Sequence, residues 1–219
     1  MPYSDTLFTT PFAEAPDATQ ERKLVDQLGG AFAGVDEAGR GPWAGPVVIA
    51  AAVLDYDNLP EGLNDSKKLS ATRREELFTE ICAKAHVSVC VQSARTIDRL
   101  NIRAATLAGM TNVSTSLDVP VRKAFFDGRD VPPGLPFEGE AVIKGDGRCL
   151  AIAAASIVAK VLRDRLMVKL DKQCPGYGFA KHKGYGTKDH QAALLELGPS
   201  PYHRRSFRPI RVLLENTSS

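Results

Sequence analysis

Two carboxylates stand side by side at Asp36 and Glu37 and run directly into a glycine-rich turn, Gly39-Arg40-Gly41-Pro42-Trp43-Ala44-Gly45. Two further acids, Asp127 in a Phe-Asp-Gly stretch and Asp146 in a Lys-Gly-Asp stretch, have similarly turn-like surroundings. If the four converge, their mutual repulsion raises their pKa values and favours protonation unless cations are present. Oxygen ligands without His or Cys suit a hard ion such as Mg2+ or Mn2+, held in an incomplete cage that leaves room for water and phosphate. Two such ions can activate a water and stabilise the leaving oxygen of an in-line displacement, which is the chemistry of phosphodiester hydrolysis. Each acid also has a plainer reading: a hairpin end for the pair, a turn for Asp127-Gly128, and a helix cap or dipole partner for Asp146.

The elements that must position these acids follow from pattern. Small and apolar residues from Ala31 to Val35 and from Val47 to Leu54 bracket the turn, giving strand, turn, strand. Successive strand side chains face opposite ways, so Asp36 and Glu37 can share a site only where the strand breaks into its turn. A short helix over 21–28 precedes them, closed by Gly29-Gly30. After the turn-rich segment 58–69, Ser70 is an N-cap for a helix to about Ala85, with Leu77, Phe78, Ile81, Cys82 and Ala85 on one face. A strand at 86–92, a helix from Ile97 to about Leu117, and strands at 122–126 and 141–143 come next. Asp146 then leads into the alanine-rich helix that starts at Cys149. A loop rich in glycine, tyrosine and lysine at 176–187, a helix at 188–197 and a basic ending complete the chain. This order predicts an α/β fold with a mixed central sheet flanked by helices and a helical carboxyl-terminal part at about 172–215. Residues 1–20 are expected to be a flexible arm, with Phe8 and Phe12 able to dock, and residues 21–219 a single domain. All four acids fall at strand ends or helix-opening turns, where open α/β sheets collect their ligands.

Composition narrows the function. The 219 residues carry a net charge of only +2, but residues 181–211 hold seven bases (Lys181, Lys183, Lys188, Arg204, Arg205, Arg208, Arg211) against Asp189 and Glu196. That is a candidate phosphate-facing patch. The cysteines Cys82, Cys90, Cys149 and Cys174 show no zinc spacing and are expected to be reduced core thiols. No apolar run reaches membrane-spanning length and no signal-peptide pattern opens the chain, so a cytoplasmic monomer is expected. The turn matches neither the G-x-x-x-x-G-K-[ST] phosphate loop nor the G-x-G-x-x-G dinucleotide motif. Arg40 offers a planar donor fork suited to phosphate or nucleic-acid edges. Asp164, between Arg163 and Arg165, is read as an ion-pair residue on its helix.

Taken together, GVDEAGRGPWAGPV at 34–47, DSKKLS at 65–70, LNI at 100–102, FDG at 126–128, KGD at 144–146, AAASIVAKVLRD at 153–164, GYGFAKHKGYGT at 176–187 and HRRSF at 203–207 resemble the ribonuclease HII family. The resemblance implies a ribonuclease H-like fold with a helical extension, cutting RNA in RNA/DNA hybrids and 5′ of single ribonucleotides embedded in duplex DNA, leaving 3′-hydroxyl and 5′-phosphate ends. It implies Asp36, Glu37, Asp127 and Asp146 as catalytic metal ligands. It further implies Gly39, Arg40 and Gly41 as readers of the 2′-hydroxyl, the group by which RNA differs from DNA. Tyr185 resembles the residue that stacks on the deoxyribose after the ribonucleotide, while Ser66, Lys67 and Asn101 resemble contacts to the DNA backbone. Trp43, where a smaller apolar residue is usual, and Arg129 after Asp-Gly depart from the family pattern. The related ribonuclease HIII carries a substantial extra amino-terminal domain, and only a short segment precedes the acidic pair here, which favours HII. The competing readings are another magnesium-dependent phosphohydrolase acting on a small substrate, and a non-catalytic nucleic-acid-binding module.

Overall fold

The computed structural model describes residues 12–13, 15–64 and 66–217. A five-stranded sheet has the order β3-β2-β1-β4-β5. Its strands are β1 (Phe32–Ala38), β2 (Val47–Leu54), β3 (Ala85–Gln92), β4 (Lys123–Asp127) and β5 (Glu138–Val142). β1 pairs antiparallel with β2 and parallel with β4, and β4 pairs parallel with β5, so the sheet is mixed as expected.

Strand alternation sorts the core into two layers. Phe32, Val48, Ala50, Ala52 and Phe125 face α1 (Ala18–Leu28), α2 (Ala71–Lys84) and α5 (Leu150–Gln173). Ala33, Val35, Ile49, Ala51 and Phe126 face α3 (Ala94–Leu100) and α4 (Ile102–Thr115). The first half of α5 is buried all round, from Ala151 to Ala159, because it lies directly on the sheet. Its alanines and Gly34 permit that approach. A Cβ on Gly34 would fall 2.2 Å from the Ala151 carbonyl carbon. The carboxyl-terminal helices α6 (Phe179–His182), α7 (Lys188–Leu197) and α8 (Arg208–Thr217) form a third cluster with Ala44 and Met167. Among the described residues no helix is long and apolar enough to cross a membrane.

Several expectations change. The helix expected over 97–117 is two helices, because Asn101 takes a positive φ of 69° and caps α4, its side-chain oxygen accepting from the Ala104 N–H. α1 begins at Ala18, inside the segment expected to be an arm, because Asp17 caps it by accepting from the Thr19 and Gln20 N–H groups. Phe12 is buried against Phe32 and Phe125, whereas Phe8 lies outside the described residues. Of the four cysteines Cys149 is buried in the core, Cys90 and Cys174 are half-buried against it, and Cys82 is exposed beside the buried Leu77 and Ile81.

The amino-terminal segment is fastened to the start of α5. Glu21, 1% exposed, accepts from the Leu150 N–H at 2.6 Å and from the Tyr56 hydroxyl at 2.8 Å. α5 has no cap from its own Cys149, so Glu21 supplies that function from a distant part of the chain. Burial raises the Glu21 pKa, the first cause, and these donors oppose the rise. Glu21→Ala should strand the Leu150 N–H and the Tyr56 hydroxyl in the interior, costing about 2–4 kcal/mol. Urea unfolding checks this, and an unchanged midpoint would refute the cap.

Candidate active site

Parallel pairing of β1 with β4 sets the site. Val35 is in register with Phe126, and each is followed by an aspartate, Asp36 and Asp127. β5 ends at Val142, and a 3-10 turn at Gly145–Gly147 then brings Asp146 to the same edge before α5 begins. Carboxylate oxygens of Asp36, Asp127 and Asp146 all lie within 4.8 Å of one another. Asp36, on the face of β1 toward α5, accepts from the Glu37 N–H at 2.7 Å and interacts with Ser156 on α5. Asp127 accepts from the Gly145 N–H at 2.7 Å, and Asp146 pairs with Lys67 at 2.8 Å.

Glu37 stands beside this trio rather than within it. It lines the same cleft of about 380 Å3 as Asp36 and Asp127. Its Oε1 faces the Arg40 guanidinium at 3.4 Å, while Oε2 is buried with no hydrogen-bond partner among the described residues. A buried carboxylate oxygen without a partner is costly, and a bound cation would satisfy it. The electrostatics point the same way. Burial, then Glu37 and Asp127, push the Asp36 carboxyl well above the usual range. Burial takes Glu37 to about 7 against the opposing effect of Arg40, and burial followed by Asp146 raises Asp127. An all-oxygen set of this kind fits a hard divalent ion.

The turn beside the acids is held by two buried arginines whose importance the sequence concealed. Arg204, fully buried, donates to the carbonyls of Gly45 at 3.0 Å, Arg40 at 2.8 Å and Gly39 at 2.6 Å. It therefore does not belong to the exposed basic patch expected over 181–211. Arg163 on α5 donates to Pro46 O at 3.1 Å and Lys183 O at 2.9 Å, tying the 39–46 turn to the 183–187 loop. Gly39, with φ +100°, leaves space for Arg163, whose Nε would lie 1.9 Å from a Cβ there. Nothing in the local sequence hints at either role, because Arg163 stands beside Asp164 and Arg165 and Arg204 stands between His203 and Arg205.

The remaining expected residues divide. Gly39, Arg40, Gly41, Lys67, Ser66 and Tyr185 all line the acidic cleft. The Tyr185 ring, 49% exposed, borders Gly41, a Cβ on which would sit 3.6 Å from the ring. Ser66 is buried and its hydroxyl is 2.9 Å from that of Ser156, so it faces inward rather than toward solvent. Asn101 does not line this cleft, and its side-chain oxygen is engaged in the α4 cap. A second cleft, of about 690 Å3, crosses Asp146 and is rimmed by Lys67, Lys68, Lys144 and Arg148. Asp164 pairs with Lys160 at 2.9 Å, as an ion-pair residue should.

An acidic trio at the carboxyl ends of three neighbouring parallel strands, with an alanine-rich helix across the sheet, defines a ribonuclease H-like, metal-dependent nuclease. The ribonuclease H2 of Pyrococcus horikoshii superposes with a TM-score of 0.73 at 29% identity, covering 86% of this chain and 99% of its own. A Bst-RNase HIII structure in complex with Mn2+ has the same fold, with a TM-score of 0.67 at 16% identity, covering 85% of this chain and 70% of that one. The family model for ribonuclease HII matches residues 33–210. The ribonuclease HII of Rhizobium leguminosarum bv. trifolii is 58% identical over 196 residues, covering 90% of this chain and 86% of the relative. That of Azorhizobium caulinodans is 57% identical over 192 residues, covering 88% and 74%. The chain belongs to the ribonuclease HII family, divalent-metal-dependent endoribonucleases that act on RNA/DNA hybrids.

Proposed function

We propose that this endoribonuclease also incises duplex DNA on the 5′ side of a single embedded ribonucleotide, leaving 3′-hydroxyl and 5′-phosphate ends. The observation that carries this reading is the meeting of Gly41, Tyr185 and the acids in one cleft. A 2′-hydroxyl presented to the Gly39-Arg40-Gly41 backbone distinguishes RNA from DNA. A half-exposed aromatic ring stacked on the next sugar rewards a deoxyribose, which has no 2′-hydroxyl to clash with it.

Asp36, Asp127 and Asp146 would hold Mg2+ or Mn2+, with Glu37 offering its orphaned oxygen to a second ion or to a shared position. When bound, such ions neutralise the acids, activate water and stabilise the leaving oxygen. The protein's own residues orient the strand. Arg40 and Lys67 contact phosphate, and Ser66 steadies the Lys67 loop from inside through Ser156. Asn101 contacts the backbone of the DNA strand through its amide nitrogen, its oxygen being used by the cap. The protein acts in the cytoplasm as a monomer.

The test is a labelled DNA duplex containing one ribonucleotide, incubated with Mg2+ or Mn2+, beside an all-DNA duplex and a chelator control. One metal-dependent cut 5′ of the ribonucleotide is expected. If only continuous hybrids are cut, the junction reading fails while the acidic site stands. Tyr185→Ala should reduce cutting at the single ribonucleotide about fivefold or more beyond any loss on a long hybrid, given 1–3 kcal/mol per stacked ring. Equal losses on the two substrates would remove the ring from junction reading.

A further inference from the structure

Behind Tyr185 lies a chain of imidazoles whose protons can be placed without ambiguity. His203, 1% exposed, has Nδ1 2.9 Å from the Ser200 backbone N–H, a group that only donates. The ring proton of neutral His203 is therefore on Nε2, from which it donates to His190 Nε2 at 2.9 Å. His190, fully buried, must then carry its own proton on Nδ1, which donates to the Tyr185 carbonyl at 2.9 Å. The chain has one direction, set at one end by an N–H and at the other by a carbonyl. The Ser200 hydroxyl also lies 2.8 Å from His203 Nδ1, and the Tyr185 carbonyl also accepts from the Thr187 N–H at 2.8 Å. Both extra contacts are compatible with these proton positions.

The backbone just after Tyr185 is pinned as well. Trp43 packs on the His190 ring with centroids 5.8 Å apart, and a Cβ on Gly186 would fall 2.1 Å from the indole. Trp43 and the histidine chain thus hold residues 185–186 from beneath, leaving the Tyr185 ring facing the cleft.

We infer that His190 and His203 are positioning residues that set the Tyr185 ring against the Gly39-Arg40-Gly41 turn, and so set the preference for an isolated ribonucleotide over a continuous hybrid. This rests on the junction reading of Tyr185 proposed above. Neither imidazole touches the substrate. They act through the Tyr185 carbonyl, and the metal-binding acids lie elsewhere in the cleft.

The experiment compares full-length wild type, Tyr185→Ala, His190→Asn and His190→Gln on two duplexes, one with a single ribonucleotide and one a continuous hybrid, with thermal melting of each variant. Asn places its amide nitrogen near the Nδ1 position and keeps the donor to Tyr185, whereas Gln reaches toward Nε2 and loses it. His190→Gln should lower the ratio of single-ribonucleotide to hybrid cleavage by about tenfold, since small misplacements at a reading residue are amplified in rate. His190→Asn should keep the ratio within about twofold of wild type if its donor restores the geometry. General loosening of the structure would lower both activities together. An unchanged ratio in Tyr185→Ala overturns the junction reading and this inference with it. A lowered ratio in Tyr185→Ala, with the two His190 variants indistinguishable, overturns the histidine chain alone. Should His190→Gln fail to fold, His203→Asn keeps the acceptor for Ser200 and withdraws the donor to His190. The same fall in ratio is expected of it, and an unchanged ratio overturns the inference.

Discussion

Asp36→Asn should lower hybrid cleavage by about 10³-fold or more while making the metal-free protein more stable, because it removes a ligand charge with little change of shape. The stability half follows from the sign of the pKa shifts. The Asp36 carboxyl is held well above its ordinary value when folded, so the folded state binds this proton more tightly than the unfolded chain does. Ionisation therefore costs stability, and the loss accumulates as pH rises from the ordinary carboxylate range toward the folded pKa. Glu37 behaves likewise, and its rise from 4.5 to about 7 corresponds to roughly 3 kcal/mol. In chelator, wild-type melting temperature should fall between pH 5 and pH 8, and Mg2+ or Mn2+ should restore it at pH 8. Asp36→Asn should flatten the fall and weaken the restoration. Wild-type cleavage by this variant would sink the site, and a pH-independent wild-type melt in chelator would refute the electrostatic account.

Arg204→Met should be among the most destabilising single changes in the chain, although Arg204 touches no acid. Its guanidinium serves three carbonyls of one turn, at Gly39, Arg40 and Gly45. Methionine fills much of the volume and satisfies none of them, so the cost is roughly 3–5 kcal/mol. For a chain of this size that is about 10 °C in Tm. Burial first, then the neighbouring Arg163, lower the Arg204 pKa to about 9, so the group stays charged at neutral pH. Lysine supplies one point charge where three directed donors are needed, so Arg204→Lys should recover only part of the loss. Below the melting temperature, Arg204→Met should still cleave about 10²-fold more slowly than wild type, because the turn it holds is displaced. The exposed neighbour Arg205 provides the control, and Arg205→Met should leave Tm within about 1 °C. Equal Tm values for the two variants would show that the turn holds itself.

The four acids were legible in the sequence because chemistry and local pattern coincide at them. Each ends a strand or opens a turn, and the parallel pairing of β1 with β4 needed only the α/β class to be anticipated. The division among them was not legible. That Asp36, Asp127 and Asp146 converge while Glu37 turns toward Arg40 depends on which side of β1 each faces at its end. Periodicity continues across Asn101 and so predicts one helix over 97–117, and only the positive φ at Asn101 breaks the run. The sequence groups Arg204 with its charged neighbours because nothing local distinguishes a cation that solvates phosphate from one that solvates a turn 159 to 165 residues away. The histidine chain had no sequence signature at all. It exists only because α7 and the segment after it fold back onto the 183–187 loop.

Glu21 places a constraint on the order in which the chain can be completed. Its acceptors are used by residues 149–151, between 128 and 130 positions further along. At bacterial-like synthesis rates of roughly 5–20 residues per second, that partner leaves the ribosome roughly 6–26 s after Glu21 does. Until then α1 lacks its anchor, and β1, which also waits for β4, has only the β2 hairpin to pair with. A ribosome-bound chain stalled before residue 150 should therefore be readily cut by protease within α1, and one stalled some 40 residues beyond α5, clear of the exit tunnel, should resist. The acidic cluster, whose last member is Asp146, would be assembled in the same closing step that secures α1.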